Sequence, residues 1–380
     1  MEAHVLEPAL ALEGPARWTA LLAAPAIGAA LSAALCSSLL AELRGPGVDE
    51  VSVAIARRGG LIPGRVALVK LAASALTLGS GGSGGREGPV VQIGASVGSW
   101  LGRALPIPAA DLRVLAAAGA SAGLAASFGV PLTAVVFTME VLLRDFANEA
   151  FSAVVAASAT AAAVSRLLVP ADHLSAAPSS TGRPLVDLAL CCAPALLCGA
   201  AGLAYMRLIG LVERWTAARS GPRWAWAGLG GLAAGALGCA LPEVLGTGDG
   251  VIARALGGLA LGPRGAAAAA AKIAATAATL GTGGSGGAFM PAMFVGSALG
   301  SGCRGLLLRA TGLEAPRGLF ALVGMSCALT AAYNAPLTAI VMALEISRGP
   351  EAAGPVMLGV ALVHLMAGRE RVRPADTPLS

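Results

Sequence analysis

Charge is what this chain has least of. Asp, Glu, Lys and Arg make up 12% of its 380 residues, about half of the roughly 25% found in a soluble domain. A water-facing surface cannot be covered from that supply, so a soluble globular fold is excluded. With 56% hydrophobic residues and a mean hydropathy of +0.76, an integral membrane protein is expected. Alternating ten-residue strands are also missing, which excludes an outer-membrane barrel. The first 15 residues carry Glu2, Glu7 and Glu13 where a signal peptide opens with basic residues, so no signal peptide is expected.

Other absences exclude chemistry. The seven cysteines (36, 191, 192, 198, 239, 303 and 327) sit in apolar surroundings, and Cys191, Cys192 and Cys198 share a segment without a histidine or a second CxxC. They read as buried small hydrophobes, with no metal site. No Gly-Lys-Ser/Thr follows the glycine runs, so they are not phosphate loops. Gly119-Ala120-Ser121-Ala122-Gly123 has the GxSxG form, but a hydrolase elbow needs a strand–turn–helix setting with Asp and His partners. It lies in an alanine-rich segment. His364 is the only histidine within an apolar segment, and His173 falls in a polar stretch as a loop residue. No catalytic residue, cofactor or nucleic-acid partner is expected.

What is present is helical and broken. Candidate spans lie at about 18–43, 66–80, 115–142, 148–169, 186–212, 225–241, 267–281, 318–347 and 352–368. Several are shorter than the roughly 20 residues that cross a hydrocarbon core. Short glycine-interrupted segments beside long ones point to re-entrant or broken helices, which survive only where protein or a water-filled cavity covers their backbone. Abundant alanine and glycine fit close helix packing. Arg57, Arg58 and Arg65 share one loop, and Arg369, Arg371 and Arg373 follow the last apolar segment. The positive-inside tendency puts both on the cytoplasmic side.

The chain contains itself twice. TLGSGGSGGREGPVVQIGASVG, 77–98, returns as TLGTGGSGGAFMPAMFVGSALG, 279–300, at an offset of 202. Lys70 matches Lys272, Gly85 matches Gly287, Pro89 matches Pro291 and Gly94 matches Gly296. GASAGLAASFGVPLTAVVFTME, 119–140, returns as GMSCALTAAYNAPLTAIVMALE, 324–345, at an offset of 205. Two halves follow: 1–170, with an N-terminal tail at 1–16, and 185–380, with a basic C-terminal tail. The polar stretch 171–184 joins them, and no regulatory domain is expected after the second.

Duplicated membrane proteins with breaks at corresponding places bind substrates where broken helices aim their ends. A helix N-terminus carries about half a positive charge and unpaired N–H groups, so it binds anions. The two runs predict helices opening at Glu87 and at Phe289. Tight packing alone is the competing explanation of the glycines, and the doubled GGSGG beside matching prolines favours an ion-binding role.

These residues carry a resemblance. Gly85-Arg86-Glu87-Gly88-Pro89 resembles the GREGP signature of the CLC chloride channel and transporter family, and Gly287-Ala288-Phe289-Met290-Pro291 its GxFxP signature. Gly45-Pro46-Gly47-Val48 stands where the family carries GSGIP. The two PLTA blocks are similar to the helices that follow. The likeness spans about 18–368. It implies an all-α CLC-type fold of about 17–18 tilted, broken or re-entrant helices in two inverted-topology repeats. It also implies a homodimer in the inner membrane, cytoplasmic termini and an anion pathway in each subunit. Pro46, Gly47, Arg86, Glu87, Gly88, Ala288, Phe289 and Met290 would then border the anion, and Glu87 would be the gate, exchanging protons. Lys70 and Lys272 would add positive potential or partner helix caps.

The chain departs from that pattern in three places. Pro46 replaces the central serine and has neither hydroxyl nor N–H, as in nitrate-preferring plant members. Val141 stands where proton-exchanging members carry an inner glutamate, while Glu140 and its counterpart Glu345 read as helix-end residues. The central tyrosine is missing: Tyr205 and Tyr333 are the only tyrosines, Tyr333 is a candidate pathway residue, and Asp376 lies nearest in the tail. Passive or weakly proton-coupled conduction of chloride, bromide or nitrate is expected. The alternative is a proton-coupled antiporter. A fluoride exporter is disfavoured by Gly88-Pro89.

Overall fold

The computed structural model describes residues 11–39, 47–106, 108, 111–146, 148–168, 182–311, 316–347 and 349–368. Among them are fifteen α-helices and no strand. In chain order they are α1 (Gly14–Leu39), α2 (Val48–Arg57), α3 (Arg65–Gly79), α4 (Glu87–Ala104), α5 (Leu112–Phe128), α6 (Pro131–Phe137), α7 (Asn148–Leu168), α8 (Pro184–Ala217), α9 (Arg223–Ala240), α10 (Asp249–Leu256), α11 (Pro263–Gly281), α12 (Phe289–Thr311), α13 (Leu319–Tyr333), α14 (Pro336–Ser347) and α15 (Ala353–Ala367). α4 and α12 open at the two positions expected from the glycine runs.

By length and composition, helices at Gly14–Ser37, Ala150–Leu168 and Pro184–Ala217 can cross a membrane, and several others are apolar but shorter. Two expected spans are corrected. The segment 115–142 is two helices, because Gly129 takes a left-handed conformation (φ 69°) and closes α5 before Pro131 opens α6. The segment 318–347 is likewise divided, with Asn334 (φ 50°) after α13 and Pro336 at the start of α14. Proline fixes its own φ, lacks the N–H to continue a helix, and pushes the residue before it out of the α region. α6 continues as a π-helical turn, Thr138–Leu143, that ends at Arg144 with φ 54°.

Contacts divide the chain into two compact units. The first holds Met1–His173, Tyr205–Gly250 and Ala267–Pro291; the second holds Leu174–Ala204, Val251–Ala266 and Ala292–Ser380. These units do not follow the sequence halves.

In the first unit, α1 packs along α9 and α4 along α5. Pro25 inside α1 removes the N–H that the Leu21 carbonyl would accept, and the backbone of Gly235 comes up to that carbonyl so closely that a Cβ there would collide with it. Gly94 and Gly119 do the same between α4 and α5: a Cβ on either would run into the other's carbonyl. Hydroxyls join the α5–α7 contact, where Ser121 and Ser158 share a hydrogen bond of 2.6 Å. In the second unit, Gly296 of α12 meets Gly324 of α13 in the same backbone-to-backbone way. The glycine pair 94/119 and the pair 296/324 are repeat equivalents, so matching sequence makes matching contacts.

Candidate functional site

The site begins where α3 and α11 end. Gly81 (φ 101°) and Gly283 (φ 111°) turn the chain back, a conformation that glycine adopts without steric cost. The two returning segments then bind each other reciprocally. Ser83 donates its N–H to Thr279 Oγ1 and Ser285 donates its N–H to Thr77 Oγ1, both at 3.1 Å. Gly85 N–H donates to the Gly287 carbonyl at 2.7 Å, and Gly287 N–H to the Gly85 carbonyl at 2.6 Å. Each bond maps onto its partner at the offset of 202, so the segments are related by a local two-fold. Gly84 lies against Gly286, with the Leu78 and Leu280 side chains over both. The packing role of the glycines is therefore real, and it is the means by which two helix starts are brought together.

Those starts touch. A Cβ on Gly287 would sit 2.7 Å from Gly88 N. The Glu87 side chain, at the first turn of α4, crosses to the other helix: Met290 donates its backbone N–H to Glu87 Oε2 at 3.3 Å. Met290 is the second residue of α12, where N–H groups lack intrahelical acceptors. Glu87 is 1% exposed, and its other oxygen, Oε1, is buried without a hydrogen-bond partner. A carboxylate with one oxygen unsatisfied away from water is costly. The positive end of α12 recovers part of that cost, about 0.3–1 kcal/mol and up to about 2 in partly buried settings.

Aromatic rings hold the rest of the turn. Phe289 is 1% exposed and packs between Phe128 (centroids 5.9 Å apart) and Phe137 (5.7 Å, edge to face). The Arg86 guanidinium lies 5.9 Å from the Phe128 ring and 3.7 Å from Asp249. That ion pair is half-exposed, and such pairs contribute about 0–1 kcal/mol. Asp249 had no role in the sequence reading.

Ala288 and Met290 are buried with Phe289. Tyr205, also fully buried, donates its hydroxyl to the Ala288 carbonyl at 3.0 Å. The sequence reading assigned Tyr205 nothing. Its only signal was a lone tyrosine inside the apolar α8, since a buried phenol needs a partner.

Gly47 reaches the same place from α2. Its φ is 103°, and a Cβ there would strike the Gly88 carbonyl. Its N–H is not open to an anion, because it donates to Glu50 Oε2 at 2.7 Å. Pro46 lies outside the described residues, as do His173, Arg369, Arg371, Arg373 and Asp376. Val141 is half-buried on the π-helical turn, and Tyr333 is half-buried at the end of α13 in the second unit.

The two lysines are fully buried. Lys272 Nζ donates to the carbonyls of Val244 (3.0 Å) and Gly246 (2.7 Å). Gly246 in turn accepts from Gly84 N–H and donates to the Gly81 carbonyl. Lys272 thus clamps the loop that meets the first glycine run. Among the described residues no group of His, Cys, Asp and Glu is gathered to hold a metal.

The profile of the family described as "Voltage gated chloride channel" matches residues 28–368. A ClcB-like protein of Ralstonia nicotianae is 33% identical over 92% of this chain and 83% of its own length. The H(+)/Cl(-) exchange transporter ClcA of Cronobacter sakazakii is 30% identical, covering 86% of this chain and 72% of that one. The crystal structure of a slow cyanobacterial Cl-/H+ antiporter superposes with a TM-score of 0.84 at 22% identity, over 98% of this chain and 88% of that one. That likeness fixes the fold. With the Glu87 and Phe289 helix starts in contact and the profile matched over nearly its whole length, this chain belongs to the voltage-gated chloride channel family, the CLC family of membrane anion-transport proteins.

Proposed function

We propose that this chain carries small anions, chloride foremost, across the inner membrane through a pathway in each subunit of a homodimer, gated by Glu87. One observation supports the reading above others: the Glu87 carboxylate sits on the N–H of Met290 at the start of α12. An anion at that helix end and the tethered carboxylate compete for the same donor and the same dipole. Protonation removes the charge of Glu87 and weakens its hold on the helix end, so acid opens the pathway. Partial charges suit conduction, since they bind an ion firmly enough to admit it and weakly enough to release it. Arg86, Gly88, Ala288 and Phe289 border the place where the anion competes.

Conduction is passive or weakly proton-coupled in this reading, because Val141 cannot relay a proton to the inner side. Proton-coupled antiport of chloride or nitrate is the second reading, and the naming of similar proteins as exchangers and antiporters favours it. Reconstituted liposomes that report anion and proton flux together separate the two. Anion flux with little proton uptake is expected, and sustained uphill proton movement under a chloride gradient overturns it. Glu87→Ala is expected to conduct at all pH values; if that variant stays steeply gated by pH, Glu87 is not the gate.

A further inference from the structure

A cavity of about 240 Å³ lies within the first unit, against the second glycine run. Its lining includes Gly284, Ser285 and Ala288 together with Glu213, Arg219 and Arg223. Arg219, Gly221 and Arg223 are exposed, so the cavity opens there.

Its hydroxyls differ in what they hold. Thr216 Oγ1 donates to the Gly281 carbonyl at 2.9 Å, and Thr282 Oγ1 to the Ala278 carbonyl at 2.6 Å. Ser285 is 3% exposed, and its Oγ is buried without a hydrogen-bond partner. Its repeat equivalent is satisfied, because Ser83 Oγ bonds Thr276 Oγ1 at 2.8 Å. The residue that would serve Ser285 in the same way is Ser74, which spends its hydroxyl on the Lys70 carbonyl at 2.8 Å. A buried hydroxyl left unmade costs about 1–3 kcal/mol, so an unspent donor lining a cavity points to a bound guest. Charge decides which guest. Two arginines face one glutamate around the opening, and Arg219 is fixed by its bond to the Trp215 carbonyl (3.2 Å) and by stacking at 3.5 Å over the Trp215 ring. The surplus is positive, which raises the local concentration of anions.

We propose that this cavity holds one small monovalent anion, with Ser285 as its hydroxyl donor and Arg219 and Arg223 as its attracting charges. It rests on the anion-carrier reading, since Ala288 lines the cavity and heads the turn into α12.

Calorimetric titration of the purified chain with chloride tests it, run beside Ser285→Ala and Ser285→Thr, with liposome flux measured on the same preparations. Ser285→Ala is expected to weaken chloride binding about two- to tenfold, the range for one neutral hydrogen bond, while Ser285→Thr keeps it. Arg219→Gln with Arg223→Gln weakens binding further and flattens its salt dependence. Identical titrations for wild type and Ser285→Ala overturn the proposal and leave water as the guest. If flux persists in that case, only the holding site falls. If Ser285→Ala weakens binding while the wild type passes no anion, the site stands and the carrier reading falls.

Discussion

Two opposed effects act on Glu87. Burial of the carboxylate opposes it, and the bond from Met290 and the end of α12 support it. In the proposed gate, protonation tips this opposition. Glu87→Gln keeps the shape and can still accept the Met290 N–H without a charge. Its flux is expected to be insensitive to pH, like that of Glu87→Ala, but slower, because the amide still blocks the helix end. Equal fluxes for the two variants at every pH would show that the charge alone closes the path. Tyr205 acts one layer back. Tyr205→Phe removes the donor from the buried Ala288 carbonyl, at a cost of about 1–3 kcal/mol. Lower thermal stability in detergent and slower anion flux at equal protein are both expected. Glu87 was legible from its motif. Tyr205 was not, since a tyrosine in an apolar helix has no pattern to reveal its partner 83 residues away.

The elements meet backbone to backbone, and this is where glycine is needed. Gly94→Ala and Gly296→Ala each place a methyl in a facing carbonyl, and overpacking of this kind costs about 1–3 kcal/mol or more. Both variants are expected to lose folded yield by size-exclusion chromatography, to a similar extent, because they are equivalent contacts. Lys272→Met leaves the Val244 and Gly246 carbonyls without their shared donor. It should lower the temperature at which the protein loses its monodisperse peak and weaken the meeting of the 244–246 loop with Gly81 and Gly84. The helix starts at Glu87 and Phe289 could be read in advance, since a glycine run followed by proline marks where a helix can begin. The divisions at Gly129 and Asn334 lay equally beside prolines but inside unbroken apolar runs, where hydropathy hides a break.

For the whole molecule, the expected behaviour is a dimer that passes anions with little proton exchange. A mass of two chains in detergent, and chloride flux that rises as pH falls, would agree with it; a monomer with full flux would remove the dimer from the requirement. Composition alone determined that the chain is a membrane protein, because a surface cannot be made polar from so few charges. Repetition alone determined that it has two related halves, and the motifs named the family. Only the tertiary structure decided that the two glycine runs cross and bond reciprocally. That crossing lays Glu87 on an N–H of α12 and leaves the Ser285 hydroxyl without a partner. These are long-range pairings between segments about 200 residues apart, and local sequence carries propensity and spacing but not the partner a donor will meet once the chain has closed.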